Sequence, residues 1–399
     1  MKRAFPVLVH LVGLAMAVRT ISGFAIDLGV YRAGGQAVLD GAPVYENELF
    51  AGLLFTYTPF AALIFVPLAL MPMIVAQSLA ALGNYALLTY SLSRSWSALD
   101  KRKAVALTLL MATPLLLTES VRLTHSIGQV NLALLALVLW DLLRDDSRRT
   151  KGIGVGIAAG IKLTPLFFVA YLVITRRFRA AATAMAGFAG TIASGFLFLP
   201  KDSLRFWFGG TFTDAARVFP NPAAVHNQSL RGMLLRAFGV SAESQGLWIV
   251  LAAVVTIGTL AIAAWASQRG EELLAVTLCG LCAATVSPWS WGHHWVWIVP
   301  LAVIAVRKSW WALAPLFALT FPKLHALAAP DPSVTAPPVL TDGPAAFLLG
   351  NIYVIIFATA ATISVVYFFR SPSSRLDKPT QDAREILESS TASTSRAHF

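Results

Sequence analysis

The sequence is poor in charged residues. Only 13% of its 399 residues are Asp, Glu, Lys or Arg, against about 25% in soluble globular domains. A soluble chain of this length would ordinarily form more than one domain, but no polar stretch here is long enough to surround a separate core. The low charge therefore predicts one integral membrane domain, residues 1–369, followed by a polar tail, residues 370–399, which we expect to be disordered in the cytoplasm.

Cysteines and metal-binding patterns are also scarce. The 2 cysteines, Cys279 and Cys282, lie within one apolar run. A disulfide framework is therefore excluded, and buried packing is favoured over redox chemistry. No H-E-x-x-H, Cys/His or Asp-x-Asp spacing is present. We expect no bound metal and no cofactor.

Acidic residues are outnumbered by basic ones, 20 against 31, for a net charge of +11. In a soluble chain this excess would suggest nucleic acid as a partner. Here the basic residues form short runs between apolar segments, such as Lys101–Lys103 and Arg176–Arg177, which is typical of cytoplasmic loops. The pattern argues against nucleic acid and predicts a multi-pass protein of the plasma membrane with both termini in the cytoplasm.

Apolar residues make up 57% of the chain, and its mean hydropathy is +0.68. A transmembrane helix needs about 20 apolar residues, and segments of this kind recur from Phe5 to Phe369. The sequence therefore predicts an all-α, polytopic membrane protein with about 10–12 transmembrane or re-entrant helices. Membrane lipids are expected partners. Leu28–Leu54 and Pro200–Glu243 are expected to be outer loops.

Two apolar segments do not fit a simple crossing. Phe55–Leu70 is short and contains Pro59 and Pro67, and proline breaks the helical hydrogen-bond ladder. Gly152–Thr175 has Lys162 and Pro165 at its middle and basic runs on both sides. We expect both segments to dip into the membrane without crossing. A plain span is the alternative for the second, and it would place Arg176–Arg179 outside.

One carboxylate stands directly after the first apolar segment. Asp27 follows Phe5–Ile26, and with Lys2 and Arg3 inside it would emerge at the outer face. A carboxyl group close to an apolar surface has a raised pKa, which suits a general base. Capping a helix or anchoring it at the interface is the alternative role for Asp27.

The other unusual polar residues fall on the same predicted side as Asp27. Lys162 is costly in an apolar stretch unless it pairs, and a phosphate suits it, although it could extend to the surface instead. His293 and His294 lie among tryptophans that could stack on sugar rings or form an interfacial belt. The remaining candidates could orient a substrate, although the amides could equally join helices and Arg231 could form a surface ion pair. They are Tyr31, Arg122, Gln129, Asn131, Asn227, Gln228 and Arg231.

Several short motifs occur in an order that resembles glycosyltransferase family 87. They are D-L-x-V-Y at Asp27–Tyr31, G-x-P-V-Y at Gly41–Tyr45, Y-T-P-F at Tyr57–Phe60, G-Q-V-N at Gly128–Asn131, G-I-A-A-G-I-K-L-T-P at Gly156–Pro165, H-N-Q-S-L-R at His226–Arg231 and S-P-W-S-W-G-H-H-W at Ser287–Trp295. The resemblance covers most of the chain.

This resemblance implies a membrane enzyme of the GT-C architecture, typified by polyprenol-phosphate-mannose-dependent α-1,2-mannosyltransferases. It implies a polyprenyl-phosphate sugar donor, a glycolipid or glycan acceptor at the outer face, and inversion at the sugar carbon, with Asp27 as the base. The family also contains arabinofuranosyltransferases, so the donor sugar is less defined than the reaction. A transporter or flippase of a lipid-linked sugar is the alternative from another class, but the inverted repeats typical of transporters are absent.

Overall fold

The computed structural model describes residues 4–321 and 343–370. Within these ranges the regular structure is helical apart from one two-stranded hairpin, so the expected all-α class is confirmed. The chain divides into two units, Met1–Ala361 and Thr362–Phe399, and the contacts described below lie within the first. Of the predicted tail only Arg370 is described, and the domain boundary at residue 369 stays a prediction.

Short turns connect most of the helices. In chain order the helices are α1 Ala4–Arg19, α2 Ile26–Asp40, α3 Pro59–Ala69, α4 Met73–Leu99, α5 Ala104–Leu116, α6 Glu119–Ser126, α7 Asn131–Leu142, α8 Ile153–Ile161, α9 Phe167–Ile174, α10 Phe178–Phe198, α11 Pro200–Phe208, α12 Leu230–Phe238, α13 Ala242–Gln268, α14 Glu272–Val286, α15 Ile298–Lys308, α16 Ala314–Ala318, α17 Pro344–Gly350 and α18 Ile352–Arg370. The antiparallel strands are β1 Glu48–Phe50 and β2 Leu53–Leu54.

Four segments of the described ranges are long and apolar enough to cross a membrane. They are Ala4–Ser22, Phe178–Phe198, Ala242–Gln268 and Ile352–Arg370, and the number rises to 6 if each of two bent helix pairs forms one span. This finding confirms a polytopic membrane protein. The sequence expectation of 10–12 helices also included shorter elements such as α7, whose 12 residues extend only about 18 Å against a hydrocarbon core of about 30 Å.

The expected outer loop Leu28–Leu54 is wrong for its first half, which forms helix α2. One face of this helix is buried, and Gly35 lies so close to α3 that a Cβ atom there would be 2.6 Å from the carbonyl oxygen of Phe65. Hydropathy did not predict this helix because its sequence contains polar residues and glycines. Its burial against another helix stabilises it.

The expected loop Pro200–Glu243 also contains helices, α11 and α12. Ser229 begins α12 as an N-cap because its hydroxyl accepts a hydrogen bond from the N–H of Gly232, a common way to satisfy a free N–H at a helix start. Residues of the segment between these two helices, such as Phe212 and Phe219, line the cavity described below. The expected loop is therefore limited to the residues between α11 and α12.

Of the two segments that we expected to dip, the first ends at a sharp bend and the second is broken at its middle. Helices α3 and α4 are bent by 117° at Leu70–Pro72, so the chain does not continue straight after α3. Helices α8 and α9 are separated by an extended residue, Lys162, and a 3-10 turn at Thr164–Leu166. The direction in which either segment enters a membrane stays a prediction.

Glycines at a spacing of four residues let α8 pack directly on α10. A Cβ atom on Gly152 or Gly156 would approach the carbonyl oxygens of Ala180 or Ala184 to 2.0 or 2.3 Å, so neither position has room for a side chain. Small residues at this spacing are typical of close helix pairs in membranes. Because Lys162 directly follows α8, this packing fixes the position of the lysine.

Candidate active site

Asp27 lies in the first turn of α2 and is held there by its backbone. The N–H groups of Asp27 and Leu28 each approach the carbonyl oxygen of Ile127 at 3.1 Å. The next residue, Gly128, has φ of +74°, and a Cβ atom there would lie 2.7 Å from Leu28, so only glycine fits this turn without strain. The turn between α6 and α7 therefore positions the start of α2.

A chain of side-chain hydrogen bonds ends at the Asp27 carboxylate. The Gln129 amide donates to Asp27 Oδ2 at 2.6 Å, and the Tyr57 hydroxyl donates to Gln129 Oε1 at 3.0 Å. The Tyr31 and Tyr57 hydroxyls are 2.8 Å apart. Since Tyr57 uses its proton towards Gln129, Tyr31 donates to Tyr57. The chain fixes the orientation of one carboxylate oxygen and leaves Oδ1 without a hydrogen bond from the described residues.

Burial raises the pKa of Asp27 to about 6, and the hydrogen bond from Gln129 and the positive charge of Lys162 reduce that increase. Desolvation disfavours a carboxylate, whereas a donor or a nearby cation favours it. A carboxyl group with this pKa is ionised at neutral pH and still basic enough to accept a proton.

Lys162 supplies a partly buried cation to this site. Its Nζ donates to Asn131 Oδ1 at 3.2 Å and lies 2.9 Å from His294 Nε2. Burial and the charge of Lys162 lower the pKa of His294 well below its ordinary value, so the imidazole is neutral and its Nε2 accepts. The proton then lies on Nδ1, which is 3.4 Å from Ser290 Oγ.

His293 is adjacent in sequence but has a different environment. Its carbonyl oxygen accepts hydrogen bonds from Asn131 at 2.8 Å and Thr124 at 3.2 Å. Its buried Nε2 has no hydrogen-bond partner among the described residues. Burial is the main cause that lowers the pKa of His293 well below its ordinary value. A neutral imidazole on the wall of a cavity is therefore available to a ligand.

These residues surround a cavity of about 1360 Å³. This volume exceeds that of most small-molecule pockets, roughly 300–1,000 Å³, and leaves room for two substrates. Apolar residues such as Phe24, Leu54 and Phe212 also line it. Of the candidates from the sequence, the structure brings these to its walls: Asp27, Tyr31, Arg122, Gln129, Lys162, His293 and His294.

An aromatic cluster forms another part of the cavity wall. The rings of Trp289 and Trp291 are 5.1 Å apart, and Phe219 lies 5.3 Å from Trp289. The His226 ring lies 5.9 Å from that of Trp291. All four residues line the cavity. Flat aromatic faces at this place could stack on sugar rings, as the sequence had suggested for the tryptophans.

Four candidates from the sequence are not among the cavity-lining residues, namely Asn131, Asn227, Gln228 and Arg231. Asn131 adjoins the cavity through Lys162 and the His293 carbonyl. Asn227 Oδ1 accepts from the N–H of Ser290 at 3.1 Å, and the N–H of Gln228 donates to the Ser290 carbonyl at 2.7 Å. Both residues therefore hold the loop that carries His293 and His294.

Arg231, in α12, contacts α13. Its Nε donates to Gln245 at 3.0 Å, and its guanidinium lies 5.4 Å from the centre of the Trp248 ring. These contacts join α12 to α13. A direct substrate contact for Asn227, Gln228 or Arg231 stays a prediction; the contacts observed join these residues to neighbouring loops and helices.

Tyr57 lines the cavity but was missed as a candidate. It connects Tyr31 with Gln129, and the Lys162 Nζ lies 5.5 Å from the centre of its ring, within the range of a cation–π contact. Its motif, Y-T-P-F, was noted in the sequence, but nothing in the pattern assigned the tyrosine a role. The tertiary contacts alone show that it touches both Lys162 and Gln129, which bonds to Asp27.

Metal-ligating side chains do not cluster within residues 4–321 and 343–370, where no group of three or more His, Cys, Asp or Glu residues could hold an ion. Both cysteines are buried in α14 and unpaired. The residues at the cavity thus offer acid–base chemistry, a lysine cation and hydrogen bonds.

Comparisons with known proteins agree on one family. The family model for glycosyltransferase family 87 matches residues 55–288. A polyprenol-phosphate-mannose-dependent alpha-(1-2)-phosphatidylinositol mannoside mannosyltransferase of Mycobacterium tuberculosis is 30% identical, over 72% of this chain and 71% of its own length. A polyprenol-phosphate-mannose-dependent alpha-(1-2)-phosphatidylinositol pentamannoside mannosyltransferase of Mycolicibacterium smegmatis is 33% identical, over 87% of this chain and 86% of its own length. No solved structure matches.

Proposed function

The chain belongs to glycosyltransferase family 87 and is a hexosyltransferase, and from this premise we propose that it transfers mannose from a polyprenyl-phosphate donor to a hydroxyl group of a glycolipid. The relatives are named for such a donor and for phosphatidylinositol mannoside acceptors. The acceptor proposed here is therefore a mannosylated phosphatidylinositol, and the linkage formed is α-1,2.

One observation carries this proposal. A carboxylate that can act as a base, Asp27, and a cationic donor, Lys162, line the same cavity. Transfer from a sugar phosphate needs these two groups, because the acceptor must lose a proton and the departing phosphate must be stabilised.

Asp27 would take the proton from the acceptor hydroxyl. Oδ1 would be the proton acceptor, because it receives no hydrogen bond from the described residues, whereas Oδ2 already accepts one from Gln129. The acceptor oxygen then forms a bond to the anomeric carbon as the bond from that carbon to the phosphate oxygen breaks. Attack from the opposite side inverts the anomeric configuration, so an α product requires a β-linked donor.

Lys162 would hold the leaving phosphate. Its Nζ donates to Asn131 and His294 and carries a further proton for a phosphate oxygen. His293 Nε2, which has no partner among the described residues, is a second donor when it carries the ring proton. The electron pair of the broken bond stays on the polyprenyl phosphate, where these groups stabilise its charge.

The remaining walls suit the two lipid-linked substrates. The apolar residues Phe24, Leu53 and Leu54 could contact the polyprenyl chain. The cluster of Phe219, Trp289 and Trp291 could stack on acceptor sugars. We place the cavity at the outer face of the plasma membrane and both termini in the cytoplasm, as the basic runs predict.

The test is transfer of labelled mannose from a polyprenyl-phosphate donor to purified phosphatidylinositol mannosides by the full chain in detergent. Asp27→Asn should reduce the rate by roughly 10²–10⁴-fold, the usual contribution of a general base. Asp40→Asn is the matched control, because Asp40 ends the same helix, is exposed, and bonds only to Gln36 among the side chains that the structure describes.

Full activity of Asp27→Asn would remove this residue from the mechanism. Release of free polyprenyl phosphate in detergent, where no second compartment exists, separates an enzyme from a flippase. An arabinofuranosyl donor offered in parallel tests the sugar, and preference for it would contradict the mannose assignment.

A further inference from the structure

A second large cavity lies at the far end of α9 from Lys162. Its volume is about 1050 Å³. The 3-10 turn after Lys162 leads into α9, whose last residue, Ile174, lines this cavity together with the final turn of α13 at Ser267 and Gln268. No residue that lines the catalytic cavity also lines this one. The two cavities are therefore separate sites.

Three arginines line this second cavity, Arg176, Arg177 and Arg179. Arg177 is already neutralised, because its guanidinium forms ion pairs with Glu272 at 2.5 Å and Asp146 at 3.0 Å. Two hydrogen bonds to the Glu272 carboxylate fix its geometry. Arg177 therefore connects the α9–α10 turn to the start of α14.

Arg176 and Arg179 carry the positive charge that is not neutralised. Within the described ranges, the Arg176 side chain makes no hydrogen bond or ion pair, and its backbone has φ of +59°. Arg179 donates to the carbonyl oxygen of Asp146 at 2.6 Å, which leaves its charge unpaired. Both side chains are exposed. A pair of guanidinium groups at the mouth of a cavity suits a phosphate, which they can bind with two hydrogen bonds each.

Exposed apolar side chains adjoin these arginines. Ile174 and Phe178 line the same cavity and are 46% and 61% exposed. Further along α13, Val250, Val254 and Ile257 are also largely exposed, as expected for a helix that faces lipid chains. A ligand here would therefore have a charged end at the arginines and a hydrocarbon part along α13.

We propose that this cavity binds an anionic phospholipid, with its phosphate at Arg176 and Arg179 and its acyl chains against Phe178 and α13. Basic pockets between transmembrane helices favour anionic headgroups in this way. A zwitterionic lipid is disfavoured because its own cation competes with the arginines. The bound lipid would join α9, α10 and α13, and it is not a substrate of the transfer reaction.

Native mass spectrometry of the delipidated full-length chain with added phosphatidylglycerol tests the proposal directly. The double variant Arg176→Gln/Arg179→Gln should weaken binding by roughly tenfold or more, given the contribution of each basic residue near an anionic lipid. Phosphatidylcholine should bind weakly to both proteins.

Arg148→Gln/Arg149→Gln is the matched control. Both arginines are exposed in the loop that carries Asp146 but do not line the cavity, and the variant removes the same charge. Equal weakening in the two double variants would indicate general attraction to the basic surface and would overturn the proposal. Competition by inorganic phosphate as effective as that by the lipid would refute the lipid as the occupant.

The experiment does not depend on the proposed transfer reaction, because it measures lipid binding. Increased thermal stability on addition of phosphatidylglycerol, absent in the Arg176/Arg179 variant and retained in the control, is the second expected result. A stabilisation that survives in the Arg176/Arg179 variant would contradict the assignment.

Discussion

At Asp27, burial and hydrogen bonding act on the carboxyl group in opposite directions. Burial raises its pKa, and Gln129 and Lys162 oppose that effect, with a resulting pKa of about 6. As the proposed base, Asp27 would accept a proton only when it is ionised. Transfer should therefore be sustained above this pKa and should decline as the pH falls through about 6.

Replacing Gln129 by Met should raise the pH at which transfer declines on acidification. The substitution removes the donor that favours the carboxylate, and a hydrogen bond to a charged group is worth about 1.5–3 kcal/mol, so this pH should rise by roughly one unit or more. The measurement is kcat/KM against pH. Gln36→Met, an exposed amide on α2, is the control, and an identical profile for the Gln129 variant would contradict this account.

Replacing Lys162 by Gln should reduce kcat by roughly 10²–10³-fold, the usual effect of removing one donor that stabilises a developing anion. Gln keeps hydrogen-bonding capacity but lacks the positive charge, so this variant tests the effect of the charge without removing the whole side chain. The measurement is the transfer rate at saturating donor, with Lys201→Gln as an exposed control. Unchanged kcat with only a raised KM would instead assign Lys162 to ground-state binding.

At the scale of the element, α8 positions Lys162 through its contact with α10. The sequence G-I-G-V-G-I-A-A-G-I-K placed glycines four residues apart, but it did not show which helix they face. The structure shows that Gly152 and Gly156 face the backbone of α10, whereas Gly160 faces the side chain of Thr191. Backbone atoms cannot move aside as a flexible side chain can, and a methyl group there must separate the two helices.

Gly156→Ala should therefore lower the free energy of unfolding by about 1–3 kcal/mol, the usual effect of overpacking. Its Cβ atom would lie 2.3 Å from the Ala184 carbonyl oxygen. Gly190→Ala on α10 is the control, because nothing lies within 4 Å of a Cβ atom there, and this variant should be neutral or slightly stabilising. Thermal or denaturant unfolding in detergent measures both. Equal stability of the two variants would contradict the close packing.

At the scale of the whole molecule, the proposed orientation places the catalytic cavity outside and the second, basic cavity inside. Thr213 lines the catalytic cavity, and Ser147 lies next to Asp146, which lines the basic cavity. Both residues are exposed. Cysteines at these two positions should therefore react from opposite sides of the membrane.

A membrane-impermeant thiol reagent should label Thr213→Cys in intact cells, and Ser147→Cys only after permeabilisation. The native cysteines are buried, which keeps the background low. Labelling of both variants in intact cells would overturn the proposed topology. The unaltered chain serves as the control for background reaction.

The sequence by itself determined the membrane class and the family, and it predicted the residues of the proposed chemistry. Low charge and repeated apolar segments predicted the fold class, and the ordered motifs resembled the family that the comparisons confirm. Asp27, Lys162 and the two histidines could be selected because a charged or polar group among apolar residues is costly unless it has a function.

Only the tertiary structure decided which of the candidates share a cavity. It showed Asn227, Gln228 and Arg231 in contacts away from the cavity walls, formed a helix from Ile26–Asp40 and connected Tyr57 with both Gln129 and Lys162. These outcomes depend on contacts between residues far apart in the chain, such as Gln129 with Asp27. Local propensity and hydropathy carry no information about such contacts, because the free energy that stabilises them comes from packing and hydrogen bonds formed only in the folded chain.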